Sequence, residues 1–345
     1  MVSVSVKRLF SRCRVLGSGA GRVTLAEPEL FALMHLCLRD LEWEADEIEL
    51  SRLPVTPPSH DYYRIPLEWF ALDVQSPTSG ELVEALANAI VKHQDYALYF
   101  QNLCALHKRR VKYRNILRNQ PRPTMDQIGP RSLLEYGICD SQFLSSWMIW
   151  RKWIYDIDNR SAQETGYLFE PILASCLGGE SIGARNSPVK RLDAFGNPTR
   201  SGRQIDCYVG VHNLAYEFKL RVTIAASGQG RFAEELSFPK ECAAAGLRPV
   251  LFVLDPTPSS RLSELQNAFL RADGRIFVGE QAWQHMDDES GEIMSTFIKK
   301  YIRPPLLEMT KRDDDELMDI HLSWVDEEIV IQSSDESYKI QRASG

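Results

Sequence analysis

The sequence predicts an α/β protein in which helices flank a mixed central sheet, with a mainly helical accessory region on its N-terminal side. From residue 161 onward, segments with helical and strand-like apolar spacing follow in the order helix, strand, strand, helix, strand. Before residue 130, the long apolar patterns at 27–44 and 79–118 have helical spacing. The 345 residues are 44% hydrophobic and 25% charged, which excludes collagen-like, low-complexity and fully disordered chains.

The N-terminal region is expected to form a helical accessory part that can contact DNA. Residues 1–25 look irregular or strand-like, and residues 51–66 contain four prolines, which is typical of a loop. A basic run ends the second long helical pattern before Pro121. The expected division is therefore an accessory region at 1–130, a core at 131–305 and an acidic extension at 306–345.

The elements of the core can be placed from their spacing. Helical spacing is found at 131–157, 161–179, 231–246 and 260–272. Strand character is found at 204–211, 214–224, 249–255 and 275–279. Only His212-Asn213 separates the first two strands, which predicts an antiparallel hairpin. The continuous apolar run PVLFVLD predicts a buried strand, and the polar segment 181–204 reads as a long loop.

One group of charged residues falls on the predicted hairpin. Glu217 and Lys219 are two residues apart on the second strand, so their side chains leave the same face of the sheet. Asp206 lies on the first strand and can reach the same edge across the hairpin. Two carboxylates there can bind a hard cation such as Mg²⁺, and a lysine beside them can orient water or stabilise charge at a phosphate. Glu170, on the preceding helix, adds a third carboxylate directed at this region.

These residues resemble the signature of the PD-(D/E)xK nuclease superfamily in its type II restriction endonuclease form. Asp206 and the triplet 217–219 match the motif, with Ile205 where the motif has proline. The GYLFEPIL segment is similar to the helix that carries the supporting glutamate of the superfamily. The resemblance covers roughly residues 161–280.

The resemblance implies a restriction-endonuclease-like core with distinct roles for its residues. Asp206, Glu217 and the backbone carbonyl of Phe218 would bind Mg²⁺. Lys219 would orient or activate the attacking water, and Glu170 would hold a second metal ion or its water. The implied reaction is sequence-specific hydrolysis of double-stranded DNA that leaves 5′-phosphate ends, by a homodimer if the site is palindromic. The chain as a whole also resembles the ApaLI-like group of type II enzymes, although no single motif marks that group.

The charge distribution predicts where DNA is bound. The net charge is −7, yet residues 101–222 carry 18 basic and 11 acidic groups, a positive surplus within an acidic protein. An uninterrupted basic run on a helix is expected to contact phosphates through Lys108, Arg109, Arg110, Lys112 and Arg114. The loop at 181–204 and the second hairpin strand add Arg185, Lys190, Arg191, Arg200, Arg203 and Arg221.

Two other functions fit the same residues. One is a nuclease of the same superfamily that acts on DNA structure in repair or recombination, and it would produce structure-dependent nicks instead of discrete fragments. The other is a non-catalytic DNA-binding protein in which Glu217 and Lys219 form a structural ion pair. Three polar residues near the next helix start support Lys219, bind a phosphate or are simply solvated: Gln229, Arg231 and Glu235.

The sequence predicts a protein of the prokaryotic cytoplasm that does not bind membranes. No segment approaches the ~20 consecutive apolar residues of a membrane helix. The first residues lack the apolar core of a secretory signal. The seven cysteines are odd in number and scattered, which argues against a disulfide framework and fits a reducing compartment.

Overall fold

The computed structural model describes residues 2–18, 22–72, 75–220, 229–310 and 318–343, with only the backbone described at 229–231 and 310. The chain divides into two compact units, Met1–Thr165 with Lys300–Gly345, and Gly166–Lys299. Helices dominate the first unit, and the second contains the central sheet. The three-part division expected from the sequence, with boundaries after 130 and 305, stays a prediction.

The described residues form the following elements. The helices are α1 (Val4–Arg14), α2 (Glu27–Asp40), α3 (Leu67–Phe70), α4 (Ser79–Lys92), α5 (Tyr96–Asn119), α6 (Met125–Ser132), α7 (Ser141–Cys176), α8 (Gln229–Ala244), α9 (Ser260–Arg271), α10 (Glu280–Glu289), α11 (Glu292–Phe297) and α12 (Arg303–Thr310). The strands are β1 (Val15–Leu16), β2 (Val23–Thr24), β3 (Glu180–Ile182), β4 (Lys190–Leu192), β5 (Pro198–Gly202), β6 (Ile205–Val209), β7 (Leu214–Lys219), β8 (Arg248–Val253), β9 (Arg275–Val278), β10 (His321–Val325), β11 (Glu328–Gln332) and β12 (Ser337–Gln341). Within these ranges, no helix is long and apolar enough to cross a membrane.

The expectation of an irregular or strand-like start over residues 1–25 is wrong for residues 4–14, which form α1, and agrees with the short strands β1 and β2 that follow. The alternating VSVSV letters suggest a strand, but Leu9 and Cys13 are four residues apart and both are buried, which is helical spacing. The Ser3 hydroxyl accepts a hydrogen bond from the amide of Val6 (3.3 Å) and caps the helix. The apolar face and the cap therefore outweigh the strand propensity of the valines.

The helices predicted at 27–44 and 79–118 are confirmed as α2 and as the pair α4 and α5. A capping box begins α4. The carboxylate of Glu81 accepts a hydrogen bond from the amide of Thr78 (2.8 Å), and the hydroxyl of Thr78 accepts one from the amide of Glu81 (3.3 Å). This reciprocal pair satisfies two backbone donors that the start of a helix leaves without partners.

Helix α7 is one continuous helix where the sequence predicts two, at 131–157 and 161–179. Residues 158–160 between the two patterns are exposed and contain neither glycine nor proline, so nothing ends the helix there. The helix also continues through Pro171. It contributes residues to both units.

The second unit is built on a five-stranded mixed sheet in the order β3-β6-β7-β8-β9. The strands β3, β6 and β7 are antiparallel neighbours, whereas β7, β8 and β9 run parallel. The predicted hairpin is confirmed as β6 and β7, and Asn213 in its turn has a left-handed backbone (φ 50°). The predicted buried strand is confirmed as β8, with residues 249–253 all buried.

Helices cover both faces of this sheet, which confirms the predicted fold class. On one face, Phe238 of α8 and Phe269 of α9 pack with Leu251 of β8 in the main core of the unit. On the other face, the ring of His285 on α10 stacks on Phe277 of β9, with ring centroids 3.9 Å apart. Among the described residues, helices therefore pack against the apolar side chains on each face of the sheet.

The segment 181–204, expected as a long irregular loop, contains a second hairpin formed by β4 and β5. The carboxylate of Asp193 closes its turn by accepting hydrogen bonds from the amides of Phe195 (2.9 Å) and Asn197 (2.8 Å). Val189, at the base of the hairpin, is buried in the core of the unit. Local turn bonds and one buried side chain therefore order a segment whose polar composition suggests a loop.

The C-terminal residues of the first unit form a three-stranded antiparallel sheet, β10-β11-β12. Trp324 of β10 stacks on Trp150 (5.0 Å between ring centroids) and meets Trp153 edge-on (5.6 Å), both on α7. The region expected as an acidic extension at 306–345 thus includes a folded sheet that is anchored by aromatic contacts.

Candidate active site

The hairpin of β6 and β7 brings Asp206 and Glu217 together. The two strands pair Cys207 with Tyr216, the neighbours of Asp206 and Glu217 in sequence, so both carboxylates lie at the same end of the hairpin. The carboxylate of Asp206 accepts a hydrogen bond from the amide of Phe218 (2.9 Å). The strand that carries Glu217, β7, lies between β6 and β8 and is hydrogen-bonded on both sides, so the backbone at this carboxylate is fixed.

Lys219 lies between two carboxylates. Its Nζ atom is 2.9 Å from Oε1 of Glu217 and 3.1 Å from Oε1 of Glu235 on α8. All three side chains are nearly buried, so water screens these ion pairs only weakly. Among the described residues, Oε2 of Glu235 has no hydrogen-bond partner. The ammonium group of Lys219 is therefore fixed at the end of β7, beside the carboxylate that shares its strand face.

The electrostatics of the site show an excess of negative charge. Burial, together with repulsion from Glu217 and Glu170, raises the pKa of Asp206 well above its ordinary value. Burial and the charge of Glu217 also raise the pKa of Glu170. Burial alone would lower the pKa of Lys219, but the carboxylates of Glu217 and Glu235 raise it on balance. Lys219 therefore stays protonated and offsets only part of the surrounding negative charge.

The donor atoms at the site suit a hard divalent cation. Asp206 and Glu217 offer carboxylate oxygens on adjacent strands, and Phe218, the residue after Glu217, offers a backbone carbonyl. All of these are ligand types that Mg²⁺ prefers. A cation would also relieve the repulsion that raises the pKa of Asp206. No group of three or more metal-ligating side chains is gathered within the described ranges. Glu170 as a further metal ligand therefore stays a prediction.

The basic run predicted to contact DNA lies on α5, and its side chains have partners within the first unit. Lys108 is buried and donates to the carbonyls of Arg12 (2.6 Å) and Val15 (3.1 Å) at the end of α1. The guanidinium of Arg110 packs over the ring of Tyr62 (4.6 Å to the centroid). The remaining ion pairs join Arg109 and Lys112 to Glu164, and Arg114 to Glu68. Contact of this run with DNA stays a prediction. Lys108 has a structural role, because it links α5 to the end of α1.

Removal of Lys108 is expected to lower stability. In Lys108→Ala, the two carbonyls at the end of α1 lose a charged donor, which costs about 1.5–3 kcal/mol of unfolding free energy. Urea unfolding of the variant measures this loss. Arg118→Ala on the same helix is the matched control, because the side chain of Arg118 has no ion pair within the described residues. Equal stability of the two variants would contradict the prediction.

The basic residues before β6 differ in their surroundings. Arg185 and Arg200 are exposed, and no ion pair within the described residues engages them. Arg203, by contrast, is buried, with Nε 3.8 Å from Glu241 and its guanidinium over the ring of Phe238 (5.6 Å). Lys190 donates to the carbonyl of Ser187, and Arg191 pairs with Glu234. Arg221, which follows β7, lies outside the described residues.

Glu235 resolves one of the alternatives that the sequence leaves open near the start of α8. Of the three residues considered there, Glu235 contacts Lys219, and the side chains of Gln229 and Arg231 are not described. The sequence contains a signal for this contact, because Phe238 lies three residues further along the helix and is buried against the sheet. Glu235 therefore shares the face of α8 that points to β7.

Comparison with known proteins identifies relatives of this chain. The family model described as ApaLI-like restriction endonuclease matches residues 57–303. The chain is 49% identical over 257 residues to the protein named type II restriction enzyme ApaLI from Acetobacter pasteurianus, and the match covers 73% of this chain and 68% of that protein. No solved structure is significantly similar to the chain. The matched residues include the whole hairpin of β6 and β7 and all of α7, the helix that carries Glu170.

Proposed function

Because the chain belongs to the family of ApaLI-like restriction endonucleases, it is a type II site-specific deoxyribonuclease, and we propose that Asp206, Glu217 and Lys219 carry the hydrolysis. The family match also confirms the resemblance to the ApaLI-like group of type II restriction endonucleases. The observation that carries the proposal is that Asp206 and Glu217 lie at the same end of the hairpin, where Asp206 accepts a hydrogen bond from the amide of Phe218 (2.9 Å) and Lys219 pairs with Glu217 (2.9 Å). This arrangement combines oxygen ligands for a cation with a fixed positive charge beside them.

We propose Mg²⁺ as the cofactor at this site. Asp206, Glu217 and the carbonyl of Phe218 would hold it, with Glu170 nearby to hold a second ion or its water. When bound, Mg²⁺ would polarise the scissile phosphate and lower the pKa of the attacking water. The raised pKa values of Asp206 and Glu170 support the proposal, because burial and the neighbouring carboxylates oppose their ionisation and a bound cation would favour it. Hydrolysis in this manner would leave 5′-phosphate ends.

Lys219 is proposed to act as a fixed cation and not as a base. Its raised pKa keeps the ammonium group protonated at neutral pH, so its nitrogen has no lone pair with which to accept a proton. The contacts to Glu217 and Glu235 hold the ammonium at one point. From there it can donate a hydrogen bond to the attacking water and offset the charge that develops on the phosphate.

The substrate is double-stranded DNA, as the family implies. Arg185 and Arg200 are the strongest candidates for phosphate contacts, because they are exposed and not neutralised within the described residues. A palindromic recognition site would require a two-fold homodimer with one active site for each DNA strand. We place the reaction in the prokaryotic cytoplasm, which suits seven cysteines that are all free thiols.

The experiment that tests the proposal is digestion of a long unmethylated DNA by the purified protein with and without Mg²⁺. A fixed ladder of fragments only with Mg²⁺, absent for Asp206→Ala, is expected, and the fragment ends give the recognition site. A smear or structure-dependent nicking would favour the repair-type nuclease. Intact DNA with a persistent mobility shift would favour a binding protein in which Glu217 and Lys219 are structural.

Neutralising the two exposed arginines is expected to weaken the salt dependence of DNA binding. Each phosphate contact contributes about 0.9 to the slope of log K against log salt, so Arg185→Gln and Arg200→Gln should each reduce it by about 1. Binding titrations at several salt concentrations in Ca²⁺ without cleavage measure the slope. Arg271→Gln, at an exposed arginine on α9, is the control and should leave it unchanged. An unaltered slope in all three variants would place the DNA elsewhere.

The raised pKa values predict how cleavage depends on pH. Asp206 and Glu170 take up protons at a higher pH than ordinary carboxylates do, and protonation removes their affinity for a cation. Cleavage at limiting Mg²⁺ should therefore fall on acidification well before ordinary aspartates titrate. Because protons and Mg²⁺ compete, higher Mg²⁺ should move this acid limb to lower pH. An acid limb that does not respond to the Mg²⁺ concentration would contradict this coupling.

A further inference from the structure

We infer that an exposed apolar surface of the first unit is where two copies of this chain associate, an inference that rests on the proposed homodimer. The surface, here called the 133–155 surface, lies on the turn after α6 and on the first half of α7. Its members are large apolar side chains that are between 44% and 89% exposed: Leu133, Leu134, Tyr136, Ile138, Phe143, Trp147, Ile154 and Tyr155. Exposed apolar groups of this number are uncommon on a monomeric protein.

The members of the 133–155 surface form one patch. On α7, Phe143, Trp147 and Ile154 are four and seven residues apart, which sets them along one side of the helix. Glu135, in the turn between α6 and α7, contacts the same side of α7. It accepts two hydrogen bonds from Arg151 (2.6 and 3.1 Å), whose guanidinium lies 5.6 Å from the ring centroid of Trp147. The turn and the helix therefore present their apolar side chains together.

The fold already uses a different side of α7. Leu144 and Met148 are buried with Ile128 of α6 in a small core cluster. The apolar residues of the 133–155 surface come in addition to this cluster and are not covered by the described residues of the first unit. Trp150 and Trp153, further along α7, contact Trp324 of β10. The described residues therefore cover these sides of the helix, and the apolar residues of the 133–155 surface remain for a partner.

The area of the surface matches what a stable dimer requires. Fully covered large side chains bury ~150–250 Å² each, so eight of them at 44% to 89% exposure offer on the order of 1,000 Å². A specific protein–protein interface buries about 800 Å² on each partner. The 133–155 surface therefore has enough apolar area for an interface of ordinary size.

A second copy of the chain suits this surface better than DNA does. DNA requires a basic surface, yet residues 131–158 carry three basic and four acidic groups within the otherwise basic middle of the chain. The charges nearest the patch neutralise one another, since hydrogen bonds from Arg151 hold the pKa of Glu135 below its ordinary value. In a two-fold dimer a surface meets its own copy, so an apolar patch without net charge is self-complementary.

Sedimentation velocity of the full chain over a wide concentration range tests the inference. We expect the wild type to form a dimer, and Leu134→Glu and Trp147→Glu to raise the dimer dissociation constant at least about ten-fold each, as for charges placed within an interface. Leu134 is 89% exposed, so its replacement should not affect folding, which thermal melts verify. Val91→Glu on α4, at a position that is 88% exposed, is the matched control and should leave the dimer intact.

Each other outcome has a distinct meaning. A wild type that stays monomeric at all concentrations, with or without duplex DNA, would overturn the inference. A dimer that Leu134→Glu and Trp147→Glu leave intact would also overturn the inference. If either variant stays dimeric but loses DNA binding, the surface would be assigned to DNA instead. Mg²⁺-dependent cleavage or nicking by the same samples reports on the proposed chemistry independently. If no cleavage is seen, the sedimentation data still decide whether the 133–155 surface forms the dimer.

Discussion

The Asp206→Asn variant is expected to lose DNA cleavage and, in the absence of metal, to be more stable than the wild type. Loss of one anionic ligand should slow cleavage at least about 10³-fold, equivalent to roughly 4 kcal/mol of transition-state stabilisation. The asparagine keeps a side-chain oxygen that can accept the hydrogen bond from the amide of Phe218. It removes the charge that Glu217 and Glu170 repel, which should raise the unfolding free energy by about 0.5–2 kcal/mol.

The sign of this effect gives it a characteristic pH dependence. Asp206 binds a proton more readily in the folded chain than in the unfolded chain, so folding stability falls as the pH rises through its elevated pKa. The stability of the Asp206→Asn variant does not fall in this way, because asparagine does not ionise. Thermal melts in a chelator should therefore show a stability difference between variant and wild type that is small in acid and grows toward neutral pH. Added Mg²⁺ should stabilise the wild type and leave the variant largely unaffected.

Asp193 provides a control of opposite sign. Hydrogen bonds from the amides of Asn197 and Phe195 hold the pKa of this carboxylate below its ordinary value. Asp193→Asn should therefore lose stability at neutral pH, where Asp206→Asn gains it. If Asp206→Asn is less stable than the wild type at neutral pH without metal, the charge of Asp206 is satisfied by the chain itself, and the reason to expect a cation there disappears.

The central features of the site could be predicted because they depend on short-range geometry. Glu217 and Lys219 share a face because strand residues alternate between faces, and a two-residue separation fixes this without further information. Asp206 could be brought to the same edge of the sheet as Glu217 because the short turn at His212-Asn213 predicts a hairpin. The buried strand β8 follows in the same way from its continuous apolar run.

The features that could not be predicted depend on distant parts of the chain. The basic run on α5 suggests DNA contact, but Lys108 reaches the end of α1, 96 residues away from Arg12 in sequence. Burial of a lysine requires partners, and nothing in the local sequence identifies carbonyl groups so far from it. The buried position of Arg203 has the same origin, because its partners Glu241 and Phe238 belong to α8. A run of basic residues therefore does not show which distant groups its side chains contact.

The Lys219→Met variant is expected to lose both cleavage and stability, for separate reasons. Cleavage should fall at least about 10³-fold because the variant lacks the cation that we propose to orient the attacking water. Stability should fall by about 3–5 kcal/mol, because Glu217 and Glu235 remain nearly buried without their shared partner. Lys240→Met is the matched control, since Lys240 is exposed on α8 and its loss should change neither property.

A second substitution separates the two roles of Lys219. In Lys219→Met with Glu235→Gln, one of the two uncompensated carboxylates is removed, so urea unfolding should show that much of the lost stability returns. Cleavage should not return, because neither methionine nor glutamine supplies a cation at the end of β7. Binding of duplex DNA in Ca²⁺ should be retained by the double variant. If cleavage recovers together with stability, Lys219 only neutralises buried carboxylates, and the positive charge used in the reaction must come from another residue.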